Sequence, residues 1–191
     1  MSKEKTIETL KELEKNELLS SKYKEKLQEA INFIENEKLP KVIIYTDGGC
    51  LINPCGPGGY GYVILKDEKI IREIGQGFKS TTNNRMELRG PLAAMESLKE
   101  PHEIEIYSDS KYFTDAINQK WIENWLKTNW KNGKVKNIDL WKQLLVQFEK
   151  HKVTVHWVKG HNDNKYNEEC DRLATKAYKS PNLIDDIGFK I

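Results

Sequence analysis

Four carboxylates sit where elements begin or end: Asp47 in YTDGGC, Glu87 in TTNNRMEL, Asp109 in YSDSKY and Asp171 in EECDRLA. A strand has no need of a terminal carboxylate followed by Gly48-Gly49. Two glycines give up backbone order for nothing unless something approaches the chain closely beside that charge. Brought together, four carboxylates repel and raise one another's pKa. Divalent cations relieve the repulsion, and an all-oxygen ligand set suits Mg²⁺ or Mn²⁺. Each acid also has a plainer explanation. Asp47 and Asp109 fit turns, Asp109 fits a helix cap, and Glu87 and Asp171 fit solvated helix faces. Taken singly, the plain explanations win; the metal reading needs a fold that gathers all four.

The elements that could do so are legible. Val42–Thr46, Tyr60–Leu65 and Ile70–Phe78 are β-branched and aromatic runs separated by turn residues, and Ile104–Ser108 and Val153–Val158 read as two further strands. Thr82–Lys99 reads as a helix with Met86, Leu92, Met95 and Leu98 inward, and Pro91 within it predicts a kink. A helical stretch from Ser110 to about Lys127 is interrupted by NWKNGKVKN and resumes over Asp139–Glu149; a last helix covers Glu168–Tyr178. Three meander strands followed by alternating helix and strand imply an α/β fold, a mixed sheet covered by helices. Parallel, adjacent first and fourth strands would bring Asp47 and Asp109 to one sheet edge.

Residues 1–40 differ in kind. They lack glycine, carry eight Lys and nine Glu, and place Tyr23, Leu27, Ala30, Ile31 and Ile34 on one helical face. Ile7, Leu10, Leu13 and Leu18 suggest a shorter helix before Ser20-Ser21. This predicts an N-terminal helical hairpin and linker over 1–40, preceding a domain over 41–191. The hairpin either packs on the core, the plainer expectation, or takes a protein partner.

The 191 residues are 31% charged with a formal net charge of +2. No apolar run approaches membrane-spanning length and the N-terminus lacks a signal-peptide core, so a soluble cytoplasmic monomer that avoids membranes is expected. Cys50, Cys55 and Cys170 have no paired metal spacing and read as reduced thiols. Charge is uneven: residues 120–136 carry five Lys against one Glu, with Trp121, Trp125 and Trp130 interleaved. Such a stretch can face phosphates. Both roles are expected here: some of the indoles pack in the core while the lysines face phosphates.

YTDGGCLINPCGPGGYG, TTNNRMEL, YSDSKY, WIENWLKTNW, VKNIDLW and WVKGHNDNKYNEECDRLA occur in this order over residues 45–174. Together they resemble type 1 ribonuclease H of the bacterial kind. The resemblance implies a ribonuclease H-like fold, a five-stranded sheet of three antiparallel and two parallel strands flanked by helices. It implies endonucleolytic cleavage of the RNA strand of RNA–DNA hybrids, leaving 5′-phosphate and 3′-hydroxyl ends. By motif match Asp47, Glu87, Asp109 and Asp171 would hold two Mg²⁺ ions, or Mn²⁺, about 4 Å apart, with Asp47 bridging. His161 would be the assisting catalytic histidine, and Gly48-Gly49 would give the RNA backbone room.

The family pattern places hybrid contacts at the Cys50 backbone, Asn53, Asn83, Asn84, Glu87 and Ser110. It places a basic handle at Trp121, Trp125, Lys127, Lys131, Lys134 and Lys136, and a DNA-phosphate pocket at Thr82 and Asn124. Three departures stand out: one extra residue in LINPCGPGG, Lys111 where many relatives carry glutamine, and Lys79 in place of an arginine nearer that pocket. A catalytically silent hybrid binder and a DNA-cutting enzyme of the same fold are the competing classes. The intact acid set with His161 weighs against the first. The asparagines and the handle weigh against the second.

Overall fold

The computed structural model describes residues 3–36, 38–160 and 164–189. The chain divides into two compact units, residues 1–40 and 41–191. In the first, α1 (Lys3–Glu14) and α2 (Ser21–Asn36) form a hairpin pinned by a Lys11–Glu35 ion pair at 2.7 Å. Ile31 is buried, but the expected stripe is incomplete: Tyr23 and Leu18 are 61% and 94% exposed. Leu18 lies beyond α1, in the turn where Asn16 Oδ1 accepts the Leu18 N–H, so helical spacing does not govern it.

The second unit is a mixed sheet in the order β3-β2-β1-β4-β5. β1 (Lys41–Cys50), β2 (Gly58–Lys66) and β3 (Lys69–Phe78) form an antiparallel meander, while β4 (Glu103–Ser108) and β5 (Lys152–Trp157) run parallel to β1. Period-two alternation sends Val42, Ile44, Ile104 and Ile106 into one core. There they meet Leu88, Leu92 and Met95 of α3 (Asn83–Glu96), Phe113 of α4 (Lys111–Asn118), and Trp141 and Leu144 of α7 (Ile138–Lys150). On the other face α8 (Lys165–Tyr178) packs across β1, β2 and β3, closing a smaller core of Val63, Leu65 and Cys170. Among the described residues no helix is long and apolar enough to cross a membrane. All three cysteines are free.

Three expectations need correction. Asp47 does not end a strand: β1 continues to Cys50, with Asp47 paired to Gly61 and Gly48 to Tyr60. What ends near Asp47 is the parallel pairing, whose last registered pair is Tyr45 with Tyr107. β1 therefore overhangs β4 by one antiparallel arm. Second, the helix expected from Ser110 to Lys127 is two, α4 and α5 (Trp121–Lys127), broken where Lys120 adopts φ 58°. Third, the segment after α5 is not a plain interruption. In α6 (Asn129–Gly133) residues 129–133 all have positive φ, one left-handed turn. Asn and Gly tolerate that region, whereas Trp130 and Lys131 are strained there. The Trp130 indole is 7% exposed and lies 6.3 Å from Trp125, so its burial offsets the strain.

The start of α3 is anchored by a buried ion network. Thr82 caps the helix, its hydroxyl accepting the Arg85 N–H at 3.3 Å. The Arg85 guanidinium, 3% exposed, makes a two-pronged pair with Asp139 and bonds Asp186 at 2.7 Å. Arg89 also pairs with Asp186, and Thr81 donates to it at 2.5 Å. Burial, the largest influence on Asp186, pushes its carboxyl up. The hydrogen bonds from Arg85, Thr81 and Arg89 outweigh it, and the net direction is down. Spacing gave no sign of this network, because its members are 54 and 101 residues apart.

Candidate active site

The overhang of β1 beyond β4 makes a corner. Asp47 stands in it, its Oδ1 accepting the Gly48 N–H at 2.6 Å. Burial lifts its carboxyl to about 7; Asp109 adds to the rise, the Gly48 N–H opposes it, and Asp171 and Glu87 contribute less. The other three acids expected to converge are thus within electrostatic reach of Asp47.

Each arrives by a packing contact that local periodicity does not encode. Glu87 comes on α3, whose backbone lies directly on β1: a Cβ at Gly48 would collide with the Met86 carbonyl group. Gly48 is therefore needed by the protein itself, which corrects its expected role as room for RNA. At Gly49, by contrast, a Cβ would meet nothing within 4 Å, so the protein itself does not demand glycine there. Glu87 Oε2 accepts the Ser110 hydroxyl at 2.7 Å. Burial raises the Glu87 carboxyl, the Ser110 bond opposes this, and Asp109 raises it further.

Asp109 follows β4. It does not cap α4, because that position is Ser110, whose hydroxyl accepts the Phe113 N–H. The Asp109 carbonyl accepts the Trp157 indole N–H at 3.0 Å, and its Oδ2 accepts from Asn167 Nδ2 at 3.3 Å. Gly160 passes so close that a Cβ there would strike Asp109 Oδ2. Asp171 is carried in by α8, whose backbone presses on glycines of β2 and β3: Cβ atoms at Gly61 and Gly75 would collide with the carbonyls of Cys170 and Leu173. Gly61 is the residue opposite Asp47, so this contact brings the turn of α8 that carries Asp171 within electrostatic reach of Asp47. Asp171 itself is exposed. His161 lies outside the described residues.

The donor set is all oxygen, and the Asp47 carboxyl is raised first by burial and then by the acids around it. Both features fit a hard divalent cation. Among the described residues, however, no three His, Cys, Asp or Glu side chains stand close enough to hold one ion together. Uncompensated, like charges favour separation. Three neighbours escaped sequence reasoning: Trp157, Gly160 and Asn167. Only Asn167 left a signal, standing four residues before Asp171 on the same face of a helix.

The expected nucleic-acid residues divide into committed and free groups. Asn83 Oδ1 accepts the Cys50 N–H at 2.8 Å, and Asn53 Oδ1 accepts the Asn83 N–H at 3.1 Å. The Cys50 N–H is thereby spent inside the protein. Asn53 and Asn83 keep their amide NH₂ groups, and Asn84 is exposed. The extra residue of the loop is absorbed in a turn closed by Leu51, Cys55 and Gly56 N–H bonds, with a cis Asn53-Pro54 bond. Ser110 is 4% exposed and its hydroxyl is committed to Glu87 and Phe113, which revises its expected role as a substrate contact.

In the basic stretch Trp125 is 7% exposed and packs on Trp141 at 5.5 Å between centroids. That indole belongs to the core and offers a strand little surface, contrary to its expected handle role. Trp121 is partly exposed, with its N–H on Gln119. Lys127, Lys131, Lys134 and Lys136 are exposed, and no described carboxylate lies within ion-pair distance of them. Thr82 is half-buried and Asn124 exposed.

Known proteins match this chain over the same region. The RNase H family profile matches residues 39–179. Ribonuclease HI of Synechocystis sp. is 49% identical over 152 residues, covering 78% of this chain and 94% of the relative. Ribonuclease H of Lachnoclostridium phytofermentans is 49% identical over 153 residues, covering 76% and 97%. Among solved structures, LC9-RNase H1, a type 1 RNase H with the type 2 active-site motif, superposes with a TM-score of 0.68 at 28% identity over 75% of this chain and 74% of that one. LC11-RNase H1, solved in complex with RNA/DNA hybrid, shares the fold with a TM-score of 0.55 at 22% identity, over 71% and 98%.

Proposed function

The chain belongs to the ribonuclease H family, and on that footing we propose that it hydrolyses the RNA strand of RNA–DNA hybrids as a metal-dependent endonuclease, leaving 5′-phosphate and 3′-hydroxyl ends. The observation that carries the proposal is the corner at Asp47, where burial and three further acids lift one carboxyl to about 7. Asp47, Glu87, Asp109 and Asp171 would hold two Mg²⁺ ions, or Mn²⁺. When bound, such ions supply Lewis acidity and a water of lowered pKa.

The chain's own residues do the rest. Ser110 orients Glu87, and the Asp47 carboxylate is steadied by the Gly48 N–H. The NH₂ groups of Asn53, Asn83 and Asn84 would donate to minor-groove acceptors and 2′-hydroxyls, the features that separate RNA from DNA. Lys127, Lys131, Lys134 and Lys136 would neutralise DNA phosphates, with Thr82 and Asn124 at one more. His161, by its motif, would assist proton transfer. Residues 41–191 would form the catalytic domain, 1–40 an extension, and the whole a cytoplasmic monomer.

Incubation with Mg²⁺ and labelled hybrid, double-stranded RNA and double-stranded DNA tests the proposal. Cleavage of the RNA strand of hybrid alone is expected. Binding without cutting would indicate the silent hybrid binder, and cut DNA the DNA-cutting enzyme of the same fold. Neutralising the four lysines together should lower the slope of log affinity against log salt concentration by up to roughly 3–4, about 0.9 per phosphate contact. An unchanged slope would return the stretch to solvated surface.

A further inference from the structure

Asn167 belongs neither to the acid set nor to the substrate contacts, yet it is buried among them. It occupies the first turn of α8 at 3% exposure. The Asn164 cap fixes its backbone, Oδ1 accepting the N–H groups of Tyr166 and Asn167 at 3.3 and 3.2 Å. Its Nδ2 donates to Asp109 Oδ2 at 3.3 Å. The reverse amide orientation would set an oxygen against a carboxylate oxygen, two acceptors face to face. Its own Oδ1 is buried and meets no donor among the described residues.

A buried acceptor without a partner costs about 1–3 kcal/mol, which an apolar side chain of similar shape would avoid. The cost is recovered where the donor comes from outside the chain. Beside acids suited to a hard, hydrated cation, a water O–H of the ion's hydration shell would supply that donor. Asp109 shows the complementary pattern. Trp157 takes its carbonyl and Asn167 its Oδ2, leaving Oδ1 with no donor among the described residues.

We infer that Asn167 is a positioning residue of the metal centre: its amide N–H turns Asp109 so that Oδ1 faces the ion, and its carbonyl oxygen holds one of the ion's water ligands. The inference rests on the metal reading of the four acids above. Groups that orient metal ligands in this way contribute roughly ten- to a hundredfold to metal affinity or activity.

The test measures Mg²⁺ and Mn²⁺ binding to the substrate-free full chain by calorimetry, alongside metal-free melting and turnover as a function of Mg²⁺. The variants are Asn167→Ala, Asn167→Leu and Asp109→Asn. Leucine fills the space of asparagine, so it keeps the test alive if alanine fails to fold. Both Asn167 variants should bind the ions roughly ten- to a hundredfold more weakly, bind hybrid normally in EDTA, and recover turnover at raised Mg²⁺. Wild-type ion affinity in folded Asn167→Leu, with affinity lost in Asp109→Asn, sinks the role of Asn167 alone. Wild-type affinity in Asp109→Asn as well removes the metal reading of the acids. A purely structural Asn167 would lower the metal-free melting point and leave the Mg²⁺ dependence where it was.

Discussion

Two charged clusters grow from the first turns of α3, two residues apart, and they are built on opposite principles. Arg85 looks toward Asp139 and Asp186, and with Arg89 and the Thr81 hydroxyl, which donates to Asp186, it forms a set whose positive and negative charges cancel and whose lone pairs are taken up. Glu87 belongs to the other set, with Asp47, Asp109 and Asp171 around the Asp47 corner, a set with one sign of charge. The first shows what buried charge looks like when it serves the fold: Asp186 is held low by its partners. The second holds Asp47 near 7 and keeps an unpaired amide oxygen. One helix end thus carries a satisfied cluster beside an unsatisfied one, and only the second is poised to take something up. The satisfied cluster also serves the other, since it fixes the helix end from which Glu87 projects.

The contrast can be broken where it is sharpest. Asp109→Asn removes one charge from the unsatisfied set at nearly constant volume. Hybrid cleavage should fall roughly a thousandfold or more, as the loss of about 4 kcal/mol of metal-borne stabilisation implies. The melting point should hold or rise. Near-wild-type cleavage in Mg²⁺ would take Asp109 out of the metal set.

The mirror experiment is Asp186→Ala, which strips the satisfied cluster of its shared anion. Leaving a buried guanidinium short of its partner should cost about 3–5 kcal/mol in denaturant unfolding, while turnover per folded molecule stays within a few-fold of wild type. A stable but inactive variant would mean that the two clusters are not separable.

The smallest effect reads the cost of keeping Asp47 charged in its buried, acid-lined corner. A carboxyl whose pKa stands at about 7 folded and about 4 unfolded binds more protons in the folded chain between those values. Metal-free stability attributable to Asp47 is therefore present at low pH and is lost as pH rises through about 4 to 7. Metal-free Asp47→Asn should melt above wild type at pH 8, by about 1–3 kcal/mol. The two should converge near pH 4, and saturating Mg²⁺ should close the pH 8 gap by stabilising wild type alone. Equal melting points from pH 4 to 8 would mean that Asp47 is not under strain.

Much of the fold was legible because it rests on short-range pattern. Alternation along Val42–Thr46 and Ile104–Ser108 needs no partner to be read, and TTNN before an apolar helix announces the cap that Thr82 supplies. The acids were legible as residue types at element ends, and the family motifs around them identified their chemistry. Local pattern failed where a distant contact overrode it. The helix expected through residue 120 breaks at Lys120, and the Trp130 indole is buried at the cost of a left-handed turn.

By itself, then, the sequence determined which residue types carry chemistry, which segments are strands and helices, and which family they belong to. Those properties are written in neighbours and near-neighbours. Tertiary structure alone decided how they are used. Gly48 is claimed by α3, Ser110 by Glu87 across 23 residues, and Asp109 by Asn167 across 58. A hydrogen bond or a close backbone approach is a property of two surfaces meeting. Its partner is chosen by how the sheet and helices pack, which no stretch of chain contains alone.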